Sequence, residues 1–428
     1  MKKRSIAVAG VLSAIAAANL APAFATPAAV SDVKLAWADA AHSAVKITWT
    51  SPLADTVVLT AAFGPQTLGS TAAGAPNELT VPVAKFGATY DPAVISQITV
   101  TDSAGAKATS VKFDSYVPRG VPSSVTFGAA NAVQGTTKVE QEADLTPGDP
   151  LDVSVPLRFT PRLKTDCGDT LFATSTSPSF KLPSPGAPSS LWINTANEWG
   201  VPEFDAGYLG YGITTSALKT SAPTTSPYGQ VFTISGYVLR NHQYYAPWNG
   251  DCGVEQTEPT GGIVVVQARK DSASAWGVVG TTKADAMGRF SYQVTNPGTR
   301  QYRVVVPNYA GANRLEYGVA GGVRTIVATT RVLSAKFLST SVVYGKPATA
   351  YLAVVPGGSQ RALLQAKSTT GVWSGVTYKT LSAGKGAVAI TWKRRGLTAF
   401  RWYSPAVKTG SGLTVGAAFS SPFYLTVR

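Results

Sequence analysis

From residue 33 onward the chain is a succession of short apolar or alternating stretches. "VKLAWAD" sets Val33, Leu35 and Trp37 on one face, and "VKITWTSP" does the same with Val45, Ile47 and Trp49. "VFTISGYVL", "IVVVQA", "YRVVVP" and "VAITW" continue the pattern, with Gly, Pro, Asn and Asp between them. No long stretch beyond the N-terminal segment has helical periodicity, so the pattern predicts an all-β protein of tandem β-sandwiches. "KADAMGRFSYQV" is representative. Phe290, Tyr292 and Val294 face one way and Ser291 and Gln293 the other, while Asp285 to Gly288 reads as a turn with Gly288 at positive φ. An EF-hand would need alternating oxygen ligands over twelve residues and a closing Glu, which do not follow.

The first 25 residues read as a cleaved signal peptide. Lys2, Lys3 and Arg4 precede an Ala/Ile/Val/Leu-rich stretch, and Ala23-Phe24-Ala25 supplies the cleavage site. The apolar run is too short for a membrane span, so the expectation is a secreted chain, extracellular or held non-covalently at the cell wall, without integral membrane insertion. Cys167 and Cys252 are the only cysteines, and in an oxidising compartment a disulfide is their default state. Closing a loop of that length would stabilise the fold by about 4 kcal/mol. Two cysteines so far apart lack metal-ligand spacing, and no metal or cofactor is expected.

Five segments follow: a leader over 1–25, a first sandwich over 26–118, a second β domain over 119–223, and two repeats over 224–330 and 331–428. The first sandwich resembles fibronectin type III domains, on "VKITWTSP" with its Trp followed by Pro52 and on "ISQITVTDSAGAKATSVKFD" as a closing hairpin. A tyrosine corner is missing, since Ile98 and Val100 occupy the late strand. In the repeats Tyr228-Gly229 matches Tyr344-Gly345, "VQARKDSASAW" matches "LQAKSTTGVW", and "QYRVVVP" matches "AFRWYSP". Gln267 to Arg303 and Gln365 to Arg401 are both 36 residues apart. These units resemble the Ig-like repeats of secreted actinobacterial surface proteins, related to the prealbumin-like domains beside carboxypeptidases. The first copy has the Tyr-Gly opening, Ser235-Gly236, Trp276, Asp285 to Phe290 and Tyr302-Arg303, whereas the second lacks the Asp and Phe of the hairpin. The resemblance implies spacer or binding modules. The first copy also carries about 18 extra residues near 241–262, an aromatic loop with Tyr244, Tyr245 and Trp248 beside Cys252. Packing at a disulfide-bridged joint and ligand binding are both open for it.

Charge is segregated along the chain. The formal net charge is +14, and 14 Lys/Arg follow Glu316 without a single Asp or Glu. "WKRRGLTAFRWY" concentrates the excess in Lys393, Arg394, Arg395 and Arg401. Such a domain attracts polyanions by a salt-screened field, and arginine forks suit phosphate. A solvated basic surface that keeps a secreted protein soluble is the alternative.

Catalysis is not expected. Only His42 and His242 are available, and no Gly-x-Ser-x-Gly, HExxH or P-loop appears. The pairs Asp149/Asp152 and Asp166/Asp169 sit in turn sequences. The functional expectation is therefore a secreted, non-catalytic surface protein whose basic final domain holds an anionic cell-wall polymer or other polyanion. The N-terminal domains would then meet a protein or polysaccharide partner. Alternatives are a carbohydrate-binding protein stacking sugars on Trp192, Trp199, Tyr244, Tyr245 and Trp248, a structural subunit of an extracellular assembly, and a carboxylate-dependent hydrolase.

Overall fold

The computed structural model describes residues 28–62, 64–165, 167–203, 210–246, 251–259 and 261–428, with side chains given outside 242–252 and 255–260. The predicted leader and Trp248 lie outside these residues. The described residues are strands joined by turns, with only two short 3-10 segments, Val83–Lys85 and Ala129–Asn131. None forms a helix long and apolar enough to cross a membrane. The fold is all-β, built of packed sheets, as the alternation of apolar positions requires.

Two compact units are present. The first is a sandwich of a three-stranded sheet (Ser31–Trp37, Ala44–Thr50, Glu78–Pro82) and a five-stranded sheet that includes Asp55–Ala61 and Ile95–Asp102. Val45, Ile47, Val57, Ile98 and Val100 are completely buried between them. Two later stretches, Gln141–Leu157 and Ala196–Asp205, also belong to this unit. Leu151 enters its core, and the Trp37 indole N–H donates to the Leu151 carbonyl at 3.0 Å. Trp199, 6% exposed, packs against Trp37, Phe86 and Phe113. The segment 119–223 is thus no self-contained domain. Its proline- and aspartate-rich connections complete the first sandwich, because an open core edge takes whatever aromatic surface the chain returns to it.

The second unit holds the remaining strands. Arg119–Phe127, Val133–Glu140 and Ser189–Ala196 run in one twelve-stranded sheet with Tyr211–Ser221 and Val231–Ala246. Tyr211–Ser221 pairs along Val231–Ala246 from Thr215 opposite Asn241 to Ser221 opposite Ser235. It is therefore the first strand of the penultimate repeat, and the sequence boundary at 224 falls after it.

The two repeats share one topology. In the penultimate repeat the second sheet has the order Thr225–Pro227, Arg324–Thr329, Arg300–Val306, Gly262–Arg269, Gly277–Ala284. The last repeat reproduces it with Ser341–Val342, Phe423–Val427, Gly396–Ser404, Gln360–Lys367, Trp373–Leu381. The short first strand is parallel to its neighbour in both. The facing sheets are Tyr211–Ser221, Val231–Ala246, Arg289–Thr295 and Arg331–Phe337, Ala348–Val355, Lys385–Ile390. Phe400 and Trp402 are fully buried between the sheets of the last repeat, each contributing roughly 2–3 kcal/mol by leaving water. The expected turn at Asp285 is present. Asp285 Oδ1 accepts from the Met287 and Arg289 amides at 2.9 and 2.8 Å, and Gly288 has φ 69°.

The returning segment makes a testable demand on the first unit. Trp199→Ala should remove about 3–5 kcal/mol from its stability in urea unfolding, the cost of emptying a large aromatic site. An unchanged midpoint would show that the returning segment does not complete this core.

Candidate functional site

The segment Thr391–Arg395 joins two strands of the last repeat at one end of its sandwich. Trp392 anchors it. The indole N–H donates to Thr398 Oγ1 at 3.1 Å, and its ring meets Phe400 edge-on at 5.1 Å. With Trp392 turned inward, Lys393 and Arg395 are exposed and Arg394 is half-exposed. Gly396, at φ 92°, then starts the next strand in a conformation that a side chain would strain.

Two further chain segments meet this loop. The Tyr344 amide donates to the Arg428 carbonyl at 2.9 Å, and the Arg428 amide donates to the Val342 carbonyl at 2.9 Å. Lys346 sits in the same turn, its amide donating to the Val343 carbonyl. The Arg395 guanidinium lies over the Tyr344 ring at 4.8 Å. The segments that carry Lys346, Lys393, Arg394, Arg395 and Arg428 therefore meet at one end of the sandwich, where Arg395 covers Tyr344. Sequence reasoning found the middle three and missed Lys346 and Arg428, which only the fold brings near them. Tyr344 was visible as the opening of the repeat but not as a platform for a cation.

The fourth predicted member, Arg401, is elsewhere. It lies five residues along the strand from Gly396, about 16 Å away, on the outward face of the sheet. Its Nε donates to Gln365 Oε1 at 2.8 Å, and its guanidinium lies 4.5 Å from the Trp373 ring and 4.0 Å from the Phe419 ring. Arg303 does the same in the penultimate repeat, donating to Gln267 Oε1 at 2.8 Å and lying 4.4 Å from the Trp276 ring. The repeated 36-residue spacing is thus the distance between an arginine and the amide that holds it, a structural clasp across neighbouring strands.

The equivalent end of the penultimate repeat is used differently. There the Thr299 amide donates to the Thr414 carbonyl, the Thr330 amide to Gly416, and the Gly416 amide to Ala328, at 2.7–2.9 Å. A Cβ on Gly298 would lie 2.5 Å from Leu413 Cβ, so glycine is required for that approach. One copy of this end carries the next repeat; the other carries five cations.

The predicted aromatic loop is a β-hairpin rather than a loop. Val231–Ala246 and Asp251–Pro259 extend the alternation and pair antiparallel, with Tyr244 opposite Gly253 and Tyr245 opposite Cys252. The side chains of Tyr244, Tyr245 and Cys252 lie outside the described residues. Cys167 follows the strand Arg158–Thr165 at the tip of a second hairpin, its amide donating to Thr165 Oγ1 at 3.2 Å. Trp192 and Trp199, 9% and 6% exposed, are core residues and offer no open ring face to a sugar.

The carboxylates hold turns. Asp149 Oδ1 accepts from the Leu151 amide at 2.7 Å, and Asp152 Oδ2 accepts from the Gly148 and Asp149 amides at 2.8 and 3.1 Å. Asp169 pairs with Arg162. No group of three metal-ligating side chains is present among the described residues. Burial, then the charges of Asp152, Asp114 and Asp149, push the Glu198 carboxyl up to about 7. Burial also raises Asp149 and Asp152, helped by their acidic neighbours. Glu316, the last acid in the sequence, is buried and accepts from Ser216 Oγ at 3.0 Å and from Arg240 Nη2 at 3.4 Å.

No protein-family model matches the chain, and no curated protein matches it in sequence. Among solved structures it is similar to native E. coli alpha-2-macroglobulin, at 9% identity and a TM-score of 0.20, over 90% of this chain and 30% of that one. The FN1–FN3 domains of chicken CNTN1 give 12% identity and a TM-score of 0.23, over 71% of this chain and 99% of that one. The D0–D1 domains of intimin give 10% and 0.17, over 50% and 97%. The chain spans less than half the length of the macroglobulins it matches.

The acidic seam of the first unit makes stability depend on pH. Folded Glu198 holds its proton up to about 7, whereas its ordinary value is 4.5, so folding takes up a proton between these values. The stabilisation is complete below about 4.5 and is lost as pH rises through 7. The melting temperature of the first unit should therefore fall between pH 5 and pH 7.5, and Glu198→Gln should flatten that slope. An equal slope in the variant would show that Glu198 is not its source.

Proposed function

We propose that the chain is an exported, non-catalytic binding protein held to an anionic envelope polymer by the basic end of its last repeat. The observation that carries this reading is the meeting, at one end of the sandwich, of the segments bearing Lys346, Lys393, Arg394, Arg395 and Arg428, in a repeat without one Asp or Glu. No acidic side chain within the repeat can neutralise these cations, and counterions released from them on binding favour a polymer. Stacking on Tyr344 holds the Arg395 fork in a restricted geometry, which lowers the entropy lost when it meets phosphate.

The resemblance to actinobacterial surface repeats makes a phosphate polymer of the cell wall the first candidate, with other polyanions next. In this reading the penultimate repeat is a spacer, and a Cys167–Cys252 disulfide ties its hairpin to the preceding strands. The first unit, with five Lys and 14 Asp/Glu beyond the leader, is then repelled by the same polymer and left to other partners.

Co-sedimentation of the mature chain with purified cell walls over a salt series tests the anchor. Binding should weaken with salt, and the triple change Lys393→Ala, Arg394→Ala, Arg395→Ala should lower affinity by about tenfold or more at moderate salt. Removal of phosphate polymer from the walls should have the same effect. Binding indifferent to salt and to the triple change would overturn the reading.

A further inference from the structure

The two repeats provide an internal control. They build the same outer sheet with the same register, so a residue type present on only one of them is not needed for the fold. On the outward face of the penultimate repeat one cross-strand row reads Ala320, Val305, Val265, Thr281. In the last repeat the same row reads Phe419, Tyr403, Leu363, Tyr378. Three small or β-branched residues have become rings, and Tyr378 and Phe419 remain 52% exposed. The row crosses four strands, about 14 Å.

Cations flank the row on both sides. Arg361, which stands where the other repeat has Ile263, lies 4.3 Å from the Tyr378 ring. Arg401 lies 4.0 Å from Phe419 on the opposite flank, and Lys367 is one cross-strand row beyond it. Tyr403 and Phe419 are in tilted contact, with ring centroids 5.0 Å apart and planes inclined by 42°. An exposed aromatic stripe on a flat sheet face costs solubility unless something covers it.

We propose that this face binds single-stranded nucleic acid, as a site separate from the basic end. The three rings are matched by three cations. A polymer that presents one planar ring and one negative charge per unit satisfies both sets together, with bases stacked on the rings and phosphates on the flanking Arg and Lys. A ring-free polyol phosphate would leave the stripe exposed, and a neutral glycan would leave the cations unmatched. Duplex DNA hides its base faces and would meet only the cations.

The test is fluorescence anisotropy of the mature full chain with a labelled oligothymidylate of about 15 nucleotides, against a duplex and linear polyphosphate at matched charge. The oligothymidylate should bind most tightly. Tyr378→Ala with Phe419→Ala should weaken it by about tenfold or more without changing the salt dependence, since both side chains are largely exposed and no cation is removed. Tyr378→Phe should retain binding. Equal competition by polyphosphate, or unchanged binding by the double variant, would overturn the proposal, as would preferential displacement by a uronic-acid glycan. The Lys393/Arg394/Arg395 triple variant separates the two sites. It should lose walls but keep the oligonucleotide, and failure at one surface leaves the other standing.

Discussion

A β-sandwich with thirteen Lys/Arg and no Asp or Glu cannot neutralise itself with its side chains, and the last repeat is organised around that constraint. Arginines held on its outer face meet a neutral acceptor or a ring face instead of an acid. Arg401 takes both, an amide oxygen at its Nε and rings beside its guanidinium; Arg361 and Arg395 take a tyrosine each. Such contacts fix the position of a charge without cancelling it. The field of the domain is preserved while its cations lose mobility, a combination that an ion-pair network could not give.

The same constraint explains where Glu316 lies. Buried beside Arg240 and Arg314, it is spent inside the penultimate repeat and does not offset the field of the last. The division of charge follows the division of structure. The second unit has 29 Lys/Arg against nine Asp/Glu, whereas the first is acidic and has a seam of carboxylates with no cation among the main causes of their shifts.

The strands were legible because alternation is a local property. Val45, Ile47 and Trp49 point inward for the same reason that they alternate, and the duplication was visible as a spacing between Gln and Arg. Three features were not legible. Leu151 and Trp199 reach the core of the first sandwich from proline-rich stretches whose local pattern says only loop. Tyr211–Ser221 starts a repeat before the Tyr-Gly sequence that marks it. Arg401 sits beside Lys393 to Arg395 in the sequence yet is held on another surface, because a strand separates in space what the sequence places together. The aromatic row was equally hidden, as it takes one residue from each of four strands.

The joint between the two repeats is made mainly by peptide groups, from Thr299, Ala328 and Thr330 on one side and Thr414 and Gly416 on the other. Side chains add to it: Thr330 Oγ1 donates to the Gly416 carbonyl at 2.9 Å, and Leu413, 2% exposed, lies against Gly298. The backbone share of the joint needs no particular sequence, whereas Gly298, Thr330 and Leu413 fit one repeat to the other. Surfaces away from the joint are under no such constraint, which is how two repeats of one topology carry mixed charge in one copy and a purely basic, ring-bearing surface in the other.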